Sequence, residues 1–165
     1  MTERTHIEKS PVGESWFGEA GARRLFACVR DAGARGHDLP TSLEAGLRAA
    51  LELFAREPDL AWLLIVDSGL GGDRAAMDGL RKWIACFGDL LREAAEADPR
   101  TSRQPPFLAP FLIGGVRFQI ARLVLADEAS DLPRLLPRLL ECLLAYYVEP
   151  GEPRRLARAA LGTGG

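Results

Sequence analysis

Residues 61–80 read AWLLIVDSGLGGDRAAMDGL, and their interpretation decides the fold. An apolar run, Leu63 to Val66, leads into Asp67-Ser68-Gly69-Leu70-Gly71-Gly72 and then into a helical pattern. A buried strand, a glycine loop and a helix N-terminus would together cradle a phosphate. The spacing does not support that. A dinucleotide loop needs glycine at its first, third and sixth places; counting from Gly69, the third is Gly71 but the sixth is Arg74. A P-loop needs Gly-Lys-Ser/Thr, which is absent, and a nucleophile elbow needs a glycine ahead of Asp67-Ser68-Gly69. These mechanisms also need a sheet, and no period-2 strand pattern occurs along the chain. The stretch reads as a connection between helices.

Outward from it, helical periodicity prevails. Ser15 to Val29 carry one apolar pattern, which ends in DAGARGHDLP, and Pro40-Thr41-Ser42 open a second helix with Leu43, Leu47, Ala50, Leu51 and Phe54 on one face. Pro58 starts a short helical piece through Val66. Asp73 is placed to cap a long helix in which Ala76, Met77, Leu80, Trp83, Ile84, Phe87, Leu90, Leu91 and Ala94 recur over more than five turns. ADPRTSRQPP is a loop. The helix from Phe107 to Leu125 is apolar on most sides, with Gly114-Gly115 in its middle. DEASDLPRLLPRL connects it to an apolar helix from Leu135 to Val148, which Pro150-Gly151 end before a short Arg-rich tail. The expected fold is an all-α helical bundle, with residues 1–14 a flexible tail and 15–160 one domain.

Composition narrows the function classes. The chain has 165 residues and a formal charge of −2, which gives no overall attraction to nucleic acid or anionic lipid. Nineteen of the 21 basic residues are Arg, which in an Ala-, Leu- and Gly-rich chain reads as codon bias. No signal peptide is visible at the N-terminus, and no apolar run approaches the roughly 20 residues of a spanning helix. Cys28, Cys86 and Cys142 lie far apart in helical patterns, an odd count without metal-type pairing. A cytoplasmic protein is expected. His6 and His37 lack ligand partners at regular spacing; Glu52/Glu57 and Glu93/Glu96 read as solvated helix faces, and Arg154, Arg155 and Arg158 favour a helix C-terminal dipole. No enzyme, metal site or cofactor is expected.

The aromatics carry more information. Phe54, Trp62, Trp83, Phe87, Phe107, Phe111 and Phe118 fall on four neighbouring segments, where they either fill a core or line an apolar cavity between helices. The helices at 107–125 and 135–148 carry more apolar surface than one buried stripe needs. Such a helix is either central or covered by another chain, and two of them meeting a symmetry mate make a four-helix dimer interface.

SLEAGLRAALELFAREPDLAWLLIVD resembles the early regulatory-domain helices of tetracycline-repressor-type (TetR-like) transcriptional regulators. FLIGGVRFQIARLVLADEASDLPRLLPRLLECLLAYYVEP resembles their last two helices, including the paired steps Leu132-Pro133 and Leu136-Pro137. The likeness covers about residues 40 to 150. These regulators carry a three-helix DNA-binding unit with an Ile-Ala pair, a Gly-Val turn and a Tyr-x-x-Phe motif, and nothing before Pro40 matches it, so no DNA-binding residue is expected here. The resemblance implies a ligand-sensing, dimerising domain without its own DNA reader. Its partners would be a second copy, a small apolar or amphipathic effector, and a full-length relative. The expected ligand pocket is Trp62, Trp83, Phe87, Phe111 and Gln119; the expected dimer interface is Phe118, Arg122, Leu125, Leu139, Leu143, Tyr146 and Tyr147. The rival reading is a helical protein-interaction module without a ligand, forming heterodimers.

Overall fold

The computed structural model describes residues 14–67, 74–101, 103–149 and 152–162; the side chains of 14–19, 75 and 76 also lie outside the description. The expected tail, the glycine connection with its Asp73 cap and the Pro150-Gly151 stop therefore fall almost wholly outside the described residues. Within them the chain is helical throughout, with no strand. The elements are α1 (Glu14–Gly33), α2 (Leu39–Arg56), α3 (Pro58–Ala61) continued by a π-helical turn (Trp62–Asp67), α4 (Arg74–Ala97), α5 (Leu108–Leu125), a 3-10 segment (Ala129–Leu135), α6 (Leu136–Leu144) and α7 (Pro153–Gly162). The run that mimics a strand, Leu63 to Val66, lies in the π-helical turn, with Leu64, Ile65 and Val66 buried.

Helix α2 is the hub. It packs against α1, α3, α4, α6, α7 and the 3-10 segment, and Leu39, Leu51 and Phe54 on it have no exposed surface. Its start is fixed by a capping box: Asp38 Oδ1 accepts the Thr41 N–H at 3.0 Å, and the Asp38 N–H is donated to Thr41 Oγ1. Pro40 sits in the first turn, where its missing N–H costs nothing.

A second device ties this start to the far end of α4. Asp98, just past α4 and almost fully buried, accepts the Leu39 N–H at 3.0 Å and the Arg100 N–H at 3.0 Å. The Arg100 guanidinium bridges Asp98 (2.8 Å) and Asp38 (2.9 Å). The hydrogen bond from Arg100 holds the Asp98 carboxyl far below the usual carboxylate range, against desolvation. At Asp38 desolvation pushes the other way, and the Thr41 and Arg100 hydrogen bonds outweigh it, so that carboxyl is lowered as well. The α1–α2 turn is equally tight. A Cβ on Gly36 would lie 2.4 Å from the Ser42 backbone nitrogen, so only glycine fits.

Helix α5 is not central. Leu108, Ala109, Leu112, Val116, Ile120 and Val124, at three- and four-residue steps, are buried. Its opposite side exposes Phe107, Phe111, Phe118 and Leu125. Among the described residues it is the one helix long and apolar enough to cross a membrane by length and composition, which corrects the expectation that no run comes near; a third of it is buried in the bundle. Gly88 brings α4 close to it, since a Cβ there would be 3.3 Å from the Pro110 nitrogen. Arg117 reaches from α5 to donate to the Ile65 carbonyl of the π-helical turn. The end of α5 is a Schellman turn: Glu128 N–H donates to Leu123 O (2.8 Å) and Asp127 N–H to Val124 O (3.2 Å). Asp127 takes the left-handed position, φ 62°, where glycine is usual.

The helix expected over 135–148 is α-helical only from Leu136 to Leu144; three-residue hydrogen bonds at Tyr146 and Tyr147 tighten the chain ahead of Pro150. The expected Arg-rich tail is helix α7, which buries Ala157 and Ala160 and packs on α6 and α2. Its arginines lie on the solvent side of a short apolar face.

Candidate functional site

A cavity of about 320 Å³ lies between α1, α2 and α4, with α5 behind it. Each helix contributes an apolar stripe: Leu25 and Val29 from α1; Leu43, Leu47, Ala50, Leu51 and Phe54 from α2; Trp83, Phe87, Leu90, Leu91 and Ala94 from α4; Ile113, Val116 and Ile120 from α5. At one side of the cavity Gly46 lets α1 and α2 approach closely, since a Cβ there would meet Val29 Cγ1 at 3.3 Å.

The aromatic wall is ordered. Trp83 and Phe87 lie one helical turn apart with ring centroids 4.6 Å apart, and Phe26 meets Phe87 edge-on at 5.7 Å. Trp83 Nε1 is buried with no hydrogen-bond partner among the described residues. Polar groups gather at the rim, where Arg30, Ser42 and Glu93 line the opening with Gly33 and Gly36. The Arg30 guanidinium pairs with Asp31 at 3.1 Å and lies over the Phe26 ring.

A smaller groove of about 170 Å³ runs over the outer side of α5 and α6, lined by Phe111, Leu112, Gly115, Val116, Gln119, Leu139, Cys142, Leu143 and Tyr146. Among the described residues, nothing beyond the helix's own backbone lies within 4 Å of a Cβ added at Gly114 or Gly115. The double glycine faces open space.

The expected pocket residues therefore divide. Trp83 and Phe87 line the large cavity. Phe111 and Gln119 line the outer groove instead, because the buried stripe of α5 runs through Leu112, Val116 and Ile120. Trp62 lines neither and is 44% exposed at the start of the π-helical turn. The expected dimer residues divide as well. Phe118, Arg122, Leu125 and Tyr146 stand exposed, whereas Leu139, Leu143 and Tyr147 are buried within the bundle. Sequence reasoning left out the α2 wall, although its periodicity had already put Leu43, Leu47, Ala50, Leu51 and Phe54 on one face.

Among the described residues no cluster of three or more His, Cys, Asp or Glu side chains could hold a metal ion. No family model, curated protein or solved structure matches this chain. What the chain presents is an all-helical bundle with an apolar cavity and an exposed aromatic helix face.

Proposed function

We propose that this chain is the ligand-sensing and dimerising domain of a TetR-like transcriptional regulator. The observation that carries this reading is the apolar cavity between α1, α2 and α4, of a size and character suited to a small molecule. An apolar or amphipathic effector held there would separate α4 from the α1–α2 pair. Binding that favours one spacing of these helices shifts the population toward it, the elementary step of coupling between sites. The exposed face of α5, with Phe111, Phe118, Arg122 and Leu125 beside Tyr146 just past α6, supports a second copy as partner.

The test is displacement of an apolar fluorescent dye by a varied ligand panel, repeated on Leu47→Trp, which fills the cavity. The reading expects binding by the native chain and its loss in the filled variant with helicity kept. Silence across the panel, or undiminished binding in the filled variant, would refute it.

The same α5 face favours a second reading, a helical interaction module that pairs with a full-length relative and needs no ligand. Co-purification of such a relative with tagged chain, together with silence in the dye assay, would favour the module.

A further inference from the structure

We infer that the cavity selects uncharged, largely flat ligands carrying one hydrogen-bond acceptor, and that the indole N–H of Trp83 is the group that reads the acceptor. The inference rests on the cavity being a ligand site and specifies what it takes. Size sets the first limit. A cavity of roughly 150 Å³ accommodates a benzene ring, so about 320 Å³ suits a molecule of about 12 non-hydrogen atoms.

Shape and charge set the rest. The α4 side of the cavity is an aromatic wall, Trp83 against Phe87 with Phe26 behind, and flat rings pack on such a wall in offset or edge geometry. Among the described residues that line the cavity the one cation is Arg30, at the rim and already held by Asp31 and the Phe26 ring. The Glu93 carboxylate also lies at the opening. An anionic ligand would enter past a negative group and find no interior counter-charge, which is heavily unfavourable in an apolar site. Trp83 Nε1, by contrast, is a buried donor that no described residue satisfies. An unmet donor is an unfavourable feature that a ketone, ester or ether oxygen removes. Trp83 is itself one of the side chains that line the cavity, which puts this unmet donor on a residue of the site.

Three probes with equal numbers of non-hydrogen atoms separate the alternatives: 2-acetylnaphthalene, its alkene isostere 2-isopropenylnaphthalene, and 2-naphthoate. Affinities would be taken by calorimetry at neutral pH on the native chain and on Trp83→Phe. The ketone-to-alkene affinity ratio should fall about three- to tenfold on substitution, the value of one neutral hydrogen bond, and naphthoate should bind most weakly. In the native chain the Trp83 indole resonance should move downfield with the ketone and not with the alkene. That spectrum decides the matter even if Trp83→Phe does not fold, with Trp16→Phe and Trp62→Phe assigning the peak. Binding with an unchanged ratio, with equal indole shifts, or with naphthoate preferred overturns the inference and leaves the ligand site standing. Binding by none of the three overturns both.

Discussion

Replacing Asp98 tests how the start of α2 is held to the end of α4. Its carboxylate is almost fully buried and accepts the Leu39 N–H, the Arg100 N–H and the Arg100 side chain, at 2.8 to 3.0 Å. Asp98→Ala would leave the buried Leu39 N–H without its acceptor, about 1–3 kcal/mol, and remove charge-assisted bonds of about 1.5–3 kcal/mol each, partly offset by hydration of the half-exposed Arg100. A net loss of about 2–4 kcal/mol follows, or roughly 5–15 °C in melting temperature for a domain of this size. Urea unfolding followed by circular dichroism measures it, and Asp98→Asn should lose roughly half as much because one oxygen stays an acceptor. The pH profile is the sharper check. The folded carboxyl titrates below its unfolded value of about 3.9. Its contribution is therefore complete above about pH 5, and is lost as pH falls through 4 toward the folded value. The stability gap between native chain and Asp98→Asn should be flat above about pH 5 and shrink below it. A loss under about 1 kcal/mol in Asp98→Ala, or a gap that does not change with acid, would refute this account of the clasp.

Other outcomes follow from the same structure. Asp127→Gly should stabilise by about 0.5–1 kcal/mol, because glycine relieves the positive φ and an acidic charge leaves a helix C-terminus; thermal melts measure it, and Asp127→Ala should destabilise instead. Gly36→Ala should cost about 1–3 kcal/mol in urea titrations, since its Cβ would press on the Ser42 backbone and the turn has no flexible side chain there to yield. Phe118→Glu should leave the melting temperature within about 1 kcal/mol of native stability, as its ring is 63% exposed, and should abolish self-association in sedimentation if α5 is the pairing face.

What could be read from the sequence was what repeats locally. The periodicity from Ala76 to Ala94 is borne out as α4, and Pro40-Thr41-Ser42 stand in the first turn of α2, although the cap Asp38 had been left in the preceding loop. The π-helical turn was legible as helical because no sheet partner existed for Leu63 to Val66. Periodicity names a face but not its neighbour, however. Phe111 and Gln119 share a side of α5, and only the packing of Leu112 and Val116 shows that this side looks outward. Arg154, Arg155 and Arg158 masked the small apolar face of α7, where Ala157 and Ala160 contribute little hydrophobic signal yet fit closely. The Asp38–Arg100–Asp98 clasp joins residues about sixty positions apart and leaves no local trace.

The hub position of α2 has a consequence for the chain during its synthesis. Residues 39–56 are made early, yet their apolar faces are covered by α6, by the 3-10 segment and finally by α7. At roughly 5–20 residues per second, the ribosome takes about 5–20 s to pass from Arg56 to Gly162. For that interval Leu51 and Phe54 have only α1, α3 and then α4 to shield them, and the nascent chain presents a sticky surface to whatever is near. Over this interval α2 offers its apolar face to any chaperone that binds exposed apolar segments, and the offer closes once α7 has been made.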